Sequence, residues 1–212
     1  MPATGLGGPL RQQMAEVAAR YYLRPGEGLD EELRFGDRVY YAGGDDGGVS
    51  AFLIVHMDHQ RAMIEGRLHQ FTYLGLGCAN GSPMTPVFQR AKADLRQRLE
   101  PDSVGVLHLT TRTPYAIRGI EKAFGPPVFP TQSGEGEGDA LEIARHLKTS
   151  LHRHAPRVAG ESPFVLRELK QGRFREEEIA RIRAFGAASP LARFGVDCDG
   201  MDEIIVFHRF VA

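Results

Sequence analysis

The stretch Thr72-Tyr73-Leu74-Gly75-Leu76-Gly77-Cys78-Ala79-Asn80-Gly81-Ser82-Pro83-Met84-Thr85 decides how the chain is read. It begins as a β-rich run, is punctuated by Gly75 and Gly77, passes through a loop of small residues and enters a helix at Pro86. Glycine weakens a strand interior and marks a bulge or the close approach of another backbone or a ligand. The first N–H groups of a helix lack intrahelical partners, and the dipole behind them favours negative charge. Strand, small loop and helix together form a recipe for seating a phosphate-bearing cofactor. The same order also serves as a plain strand-to-helix turn.

The surroundings set the fold class. Upstream, Leu10–Leu23 places Leu10, Met14, Val17, Ala18 and Tyr21 on one helical face, and Arg24–Gly28 ends that helix with Pro and Gly. Arg38–Tyr41 and Val49–Val55 are strand-like and flank an Asp/Gly cluster, which reads as a hairpin. Leu68–Ala79 is a third strand after a turn near Glu65-Gly66, and Pro86–Leu99 is a helix with Thr85 as N-cap. Val104–Thr110 is a strand and Pro114–Phe124 a helix that closes at Gly125. The middle therefore runs β-β-β-α-β-α, with the strands on either side of the long helix as parallel neighbours. Beyond it, Pro126–Gly138 is a loop, Asp139–His154 a helix, Phe164–Leu169 a short strand, Glu176–Phe185 a helix and Glu203–Val211 a closing strand. The expectation is one α/β domain over 1–212, with 10–125 as its core and 126–212 as an elaboration.

Composition narrows the function classes. The 212 residues are 42% hydrophobic and 25% charged, enough for a substantial core. A net charge of −1 gives no global field for nucleic acid or an anionic membrane, so neither is expected as a partner. No apolar run approaches the roughly 20 residues that span a bilayer, and Met1–Pro9 is a loose Gly/Pro-rich start without the order of a signal peptide. Two cysteines, Cys78 and Cys198, make no disulfide framework. A cytoplasmic protein is the expectation.

The order of these elements resembles the GNAT (GCN5-related N-acetyltransferase) superfamily. Arg38-Val39-Tyr40-Tyr41-Ala42 and Asp45–Phe52 look like its second and third strands, Thr72–Ala79 like its fourth, and Pro86–Leu99 like the helix that follows. Val104–Thr111 and Thr113–Gly125 look like its fifth strand and fourth helix. The resemblance implies a mixed sheet flanked by helices and an acyl-CoA or acetyl-CoA co-substrate, with an acyl-carrier protein as the other donor. The pantetheine arm would pair with the backbone of Tyr73, Leu74, Gly75, Leu76, Gly77 and Cys78, where the fourth strand splays from the fifth at a bulge. The pyrophosphate would sit on Asn80, Gly81, Ser82, Met84 and Thr85. A small-molecule amine would be the acceptor, with one group stripping its ammonium and another protonating the leaving thiolate.

The chain departs from the family at several points. The family's loop runs Arg or Gln, two residues, Gly, one residue, then Gly or Ala, whereas Asn80–Pro86 has no Arg and contains Pro83 and Pro86, which lack N–H groups. The family's acidic tyrosine falls at Ile120, so Tyr115 is the candidate proton donor, and no strand-like run precedes the first helix. His69 is the candidate base, because the fourth strand borders the acceptor side in the family. A catalytically degenerate binding or assembly module is the second reading. A metal-dependent hydrolase built on His56, Asp58, His59 and His69 is the third, although His56 and His59 fall on opposite strand faces. No metal is expected. His146, His152 and His154 read as charges at a helix C-terminus, and Cys78 as a buried structural thiol. Asp197–Glu203 is acidic but shorter than the roughly twelve-residue calcium loop, so it reads as a turn. An exposed edge at Glu203–Val211 would let two copies pair as a homodimer.

Overall fold

The computed structural model describes residues 1–44, 47–57, 60–81, 83–131, 136, 138–153, 155, 160–167, 174–186, 190–196 and 202–211. Helix α1 (Gly8–Ala18) and helix α2 (Pro25–Phe35) precede strands β1 (Arg38–Gly43) and β2 (Val49–His56). β3 (Arg61–Ile64) and β4 (Arg67–Ala79) follow, then α3 (Thr85–Arg96), β5 (Val104–Thr111) and α4 (Pro114–Phe124). The remainder comprises β6 (Val128–Phe129), α5 (Asp139–His146) with a π-helical extension over Leu147–Leu151, β7 (Val165–Leu166), α6 (Glu176–Arg183), α7 (Pro190–Arg193) and β8 (Glu203–Val211). The architecture is the expected α/β class, a mixed sheet flanked by helices, ordered β1-β2-β4-β5-β8-β6.

The hairpin of β1 and β2 forms as read, with Arg38 opposite Val55 and Ala42 opposite Ala51. Its Asp45 and Asp46 lie outside the described residues. β4 and β5 are parallel neighbours, as the intervening helix requires. Glu65 and Gly66, both with positive φ, turn a second tight hairpin between β3 and β4, and β3 is a strand that sequence patterning does not announce.

Alternation along β2 assigns the two faces. Phe52 and Ile54 join Met14 and Val17 of α1 and Leu29 of α2, whereas Leu53 and Val55 join Val87, Phe88 and Ala91 of α3. The sheet is thus covered by α1 and α2 on one face and by α3 and α4 on the other.

Several expectations need correction. Pro25 begins a second helix, because a proline in the first turn gives up an N–H that has no partner there anyway. Thr85 is the first helical residue, and the cap position belongs to Met84, which makes no side-chain cap bond. Met1–Ala3, at the start of the loose segment, lies against β1: Met1 N donates to Val39 O, Val39 N to Met1 O and Ala3 N to Asp37 O. β8 is not an exposed edge. It pairs with β5 along its length on one side and with β6 and β7 on the other, so the C-terminal segment returns into the same sheet. Phe164, Phe207 and Ile205 seal it into the core, each worth about 1.5–3 kcal/mol of apolar burial.

Candidate functional site

The parallel ladder of β4 and β5 runs from His69 opposite Val104 to Tyr73 opposite His108 and then stops, although β4 continues to Ala79 and β5 to Thr111. The cause lies on the other edge of β4. Leu53 pairs with Gly77 and Val55 with Leu74, which leaves Gly75 and Leu76 as a bulge opposite Ile54. A bulge bends its strand and sharpens the twist, and here the bend carries the end of β4 away from β5. Glycine is needed at Gly75, where a Cβ would collide with the Glu32 carboxylate and the His56 ring. At Gly77 a Cβ would press on Leu53 and Met84 at 3.2 Å.

The opening encloses about 120 Å³ and draws its lining from both faces of the sheet. Phe88 of α3 and Ala116 of α4 contribute from one side, and Glu32 of α2 and Tyr22 from the other, with Gly75–Gly77 and Leu109–Thr113 forming the two strand walls. Tyr22 and Phe174 close one end, their rings 5.0 Å apart, and the Arg112 guanidinium lies 4.3 Å over Phe174.

Glu32, Tyr73, Thr110, Arg112 and Glu203, with His56 beside them, give this gap its chemistry. Glu32 Oε2 lies 2.7 Å from His56 Nε2 and accepts the Leu76 N–H at 3.3 Å, so one carboxylate joins an imidazole to the β4 bulge. Tyr73 OH lies 3.4 Å from Thr110 Oγ1, and burial holds the phenol protonated. Glu203, at the start of β8, is buried; desolvation raises its carboxyl to about 7, opposed by a hydrogen bond from Thr110 and by the charge of Arg112. A carboxyl that titrates near neutrality can act as either acid or base.

The structure gathers some of the residues singled out from the sequence and leaves others apart. Tyr73, Gly75, Leu76 and Gly77 line the gap, whereas Leu74 and Cys78 are buried within opposite cores. Beyond β4, Asn80 N donates to Ser50 O at 2.6 Å, Gly81 is exposed with φ +70°, and Ser82 lies outside the described residues. Met84 and Thr85 are half-buried at the start of α3, where Pro86 supplies no N–H. Beside the loop, Arg20, Arg175 and Arg181 border a surface recess with Ala79 and Gly81, together with the carboxylates of Glu16 and Glu177. Tyr115 stands in the first turn of α4 with its hydroxyl buried and unpartnered, its ring packed on Phe185 and under Arg181. His69 is buried at the far end of β4, Nδ1 against Arg67 O and its charge suppressed by burial. Neither Tyr115 nor His69 lines the gap.

The histidine expectations change most. His146 and His152 do not sit as charged groups at a helix end: His146 stacks on Phe71 at 4.7 Å, and burial pushes His152 down to about 4. His146 is the last residue of α5 and His152 follows the π-helical segment Leu147–Leu151, while His154 lies outside the described residues. His59, Asp58 and Cys198 also lie outside them, as do residues 197–201 of the acidic turn, whose Asp202 pairs with Arg167. Among the described residues no group of three or more His, Cys, Asp or Glu side chains is disposed to hold a metal, and no helix is long and apolar enough to cross a membrane. Cys78 is buried and desolvation pushes its thiol up, which suits the structural reading.

Glu32, His108, His152 and Glu203 escape sequence reasoning as members of a site. Two of them carry a signal. Glu203 abuts the apolar run Ile204–Phe207, and His108 interrupts the apolar run of β5, places where a polar group must find a reason to be buried.

No family model matches the chain, and no curated protein does. A similar solved structure is that of a conserved protein of unknown function from Enterococcus faecalis V583, described as a probable N-acyltransferase. The identity is 11% and the TM-score 0.38, over 53% of this chain and 30% of that one. At that overlap the likeness carries no argument about activity.

Proposed function

We propose that the chain is an acyltransferase that moves an acyl group from a CoA or carrier-protein thioester to an amine. The observation that carries the reading is the divergence of β4 from β5 at a glycine bulge, which frees one edge of β4 beyond Tyr73 and opens a gap lined from both faces. A pantetheine arm carries amides that can pair with such an edge, as an added strand would. A thioester carbonyl beside the bulge would meet backbone N–H groups as its oxygen becomes negative. The donor's phosphates would lie at Asn80–Thr85, with Arg20, Arg175 and Arg181 supplying positive charge.

In the transfer, the His56–Glu32 pair accepts a proton from the acceptor's ammonium, and the free amine attacks the thioester carbon. The C–N bond forms, the C–S bond breaks, and the thiolate takes a proton from the Glu203 carboxyl. The second proton on nitrogen passes to solvent. The roles fit the geometry, because Glu32 and Glu203 both line the gap while His56 stands just outside it.

Thermal-shift measurements with acetyl-CoA, longer acyl-CoAs, free CoA and an acylated carrier protein test the donor, and thiol release with an amine panel tests turnover. A donor-dependent rise in melting temperature with amine-dependent thiol release is expected. No shift with any of the four would sink the reading, and a shift without turnover would leave the binding-module alternative.

A further inference from the structure

Next to the gap lies a second, larger recess of about 650 Å³, within the size range of small-molecule sites. Its polar wall is His56, Tyr73, His108 and His152, and its mouth carries Phe35 and Asp37. His108 is 1% exposed, yet neither of its ring nitrogens has a hydrogen-bond partner. His152 Nε2 has none either. The two rings stand 6.0 Å apart, and each faces the Tyr73 ring, at 5.3 and 6.2 Å. A buried polar atom left unpaired costs about 1–3 kcal/mol, so the acceptor nitrogens of these rings point to a ligand that donates to them.

The wall also specifies the ligand's charge. Desolvation, reinforced by neighbouring imidazoles, keeps His108 uncharged, and His152 is uncharged for the same first reason. A neutral imidazole presents one acceptor nitrogen, and the Tyr73 face attracts a cation. Among the described lining residues there is no Lys or Arg, while Asp37 stands at the mouth and Glu32 behind His56. An anion would find no cation among these lining residues, although the Arg98 guanidinium reaches Met57 Sδ at 3.6 Å. An ammonium would find acceptors, an aromatic face and a negative field. Phe35, which is 63% exposed, together with Met57 and Leu151 adds apolar surface for a hydrocarbon stem.

We propose that this recess binds a small aliphatic primary amine, its ammonium held by His108 and His152 against the Tyr73 ring. Its role as the acceptor site rests on the acyl-transfer reading. Tyr73 lines both the recess and the β4–β5 gap, and His56 in the recess contacts Glu32 in the gap, so the amine site would adjoin the donor site.

Binding can be measured with no acyl donor present, by following the histidine ring-nitrogen NMR signals while n-butylamine, butan-1-ol or butyrate is added. Butylamine is expected to move the His108 and His152 signals, and the alcohol and the acid are not. H152F keeps an aromatic wall and removes the acceptor nitrogen. It should weaken butylamine at least about tenfold, the effect of losing one hydrogen bond to a charged group. D37N at the exposed mouth removes the negative charge while its amide oxygen can still accept the Met57 N–H, and it should weaken butylamine. The proposal is overturned if butylamine moves neither signal, if butyrate binds as well as butylamine, or if both variants bind it unchanged. Amine binding with no CoA or carrier-protein binding would leave this site standing and sink the transferase reading. Donor binding with no amine binding would do the reverse.

Discussion

Replacing Glu203 with glutamine should reshape the dependence of stability on pH. In the folded chain burial keeps the carboxyl protonated up to about 7, whereas the unfolded chain releases the proton near the ordinary 4.5. Between those two values the folded state binds one proton more than the unfolded state, so this group's contribution to stability is complete below the lower value and is lost as pH rises toward the upper one. The slope is about 1.4 kcal/mol per pH unit, and the accumulated loss by pH 8 is about 3 kcal/mol. The substituted amide has no proton to lose over this range and can still bond Thr110. The difference in unfolding free energy between E203Q and the parent should therefore move by about 3 kcal/mol in the variant's favour between pH 4 and pH 8. Urea denaturation at half-unit pH steps measures it, and taking the difference removes every titration the two chains share. A difference that stays flat from pH 4 to pH 8 would refute the burial argument. A difference that moves the other way would mean that Arg112 and Thr110 stabilise the carboxylate more than burial penalises it.

Further outcomes follow from the same geometry. E32Q should lower amine-dependent thiol release by about 10²–10⁴-fold while the melting shift with acyl donor persists, whereas H69Q and Y115F should stay within about twofold of the parent. Phe210 lies over Gly105, where a Cβ would run into its ring, so G105A should cost about 1–3 kcal/mol in urea denaturation. In a C198S background the folded chain should react with a thiol reagent at pH 7.5 only as fast as it unfolds, because the Cys78 thiol is buried and pushed up; immediate stoichiometric labelling would contradict this.

The fold was legible where local signals agreed. The hairpin about the Asp/Gly cluster, the bounds of α4 and those of β8 follow from turn chemistry and periodicity within each segment. α2 was hidden because Pro25, Gly26 and Gly28 read as a stop, and the burial of Leu29 in the cluster of Ile54, with Leu33 packed against it, offsets the cost of a helix containing two glycines. β3 was hidden because Arg61 and Met63 are exposed and the strand is held by backbone pairing to β4. The splay was legible in part. Gly75 and Gly77 marked an irregular strand, but where pairing with β5 ends is set by the tertiary register. The polar groups of the gap come from α2, β4, β5 and β8, separated by up to most of the chain, and no spacing rule joins Glu32 to Glu203. His69 and Tyr115 stood out through the family resemblance; His69 falls at the far end of β4, and the Tyr115 ring packs against Phe185.

The central claim is that the diverging ends of β4 and β5 receive an acyl thioester. A crystal structure of the protein soaked with acetyl-CoA tests it most directly. The expected result is pantetheine density between Gly75–Gly77 and Thr110–Thr113, with the thioester beside Leu76. Well-diffracting soaked crystals with that gap closed, or with CoA bound at another surface, would contradict it.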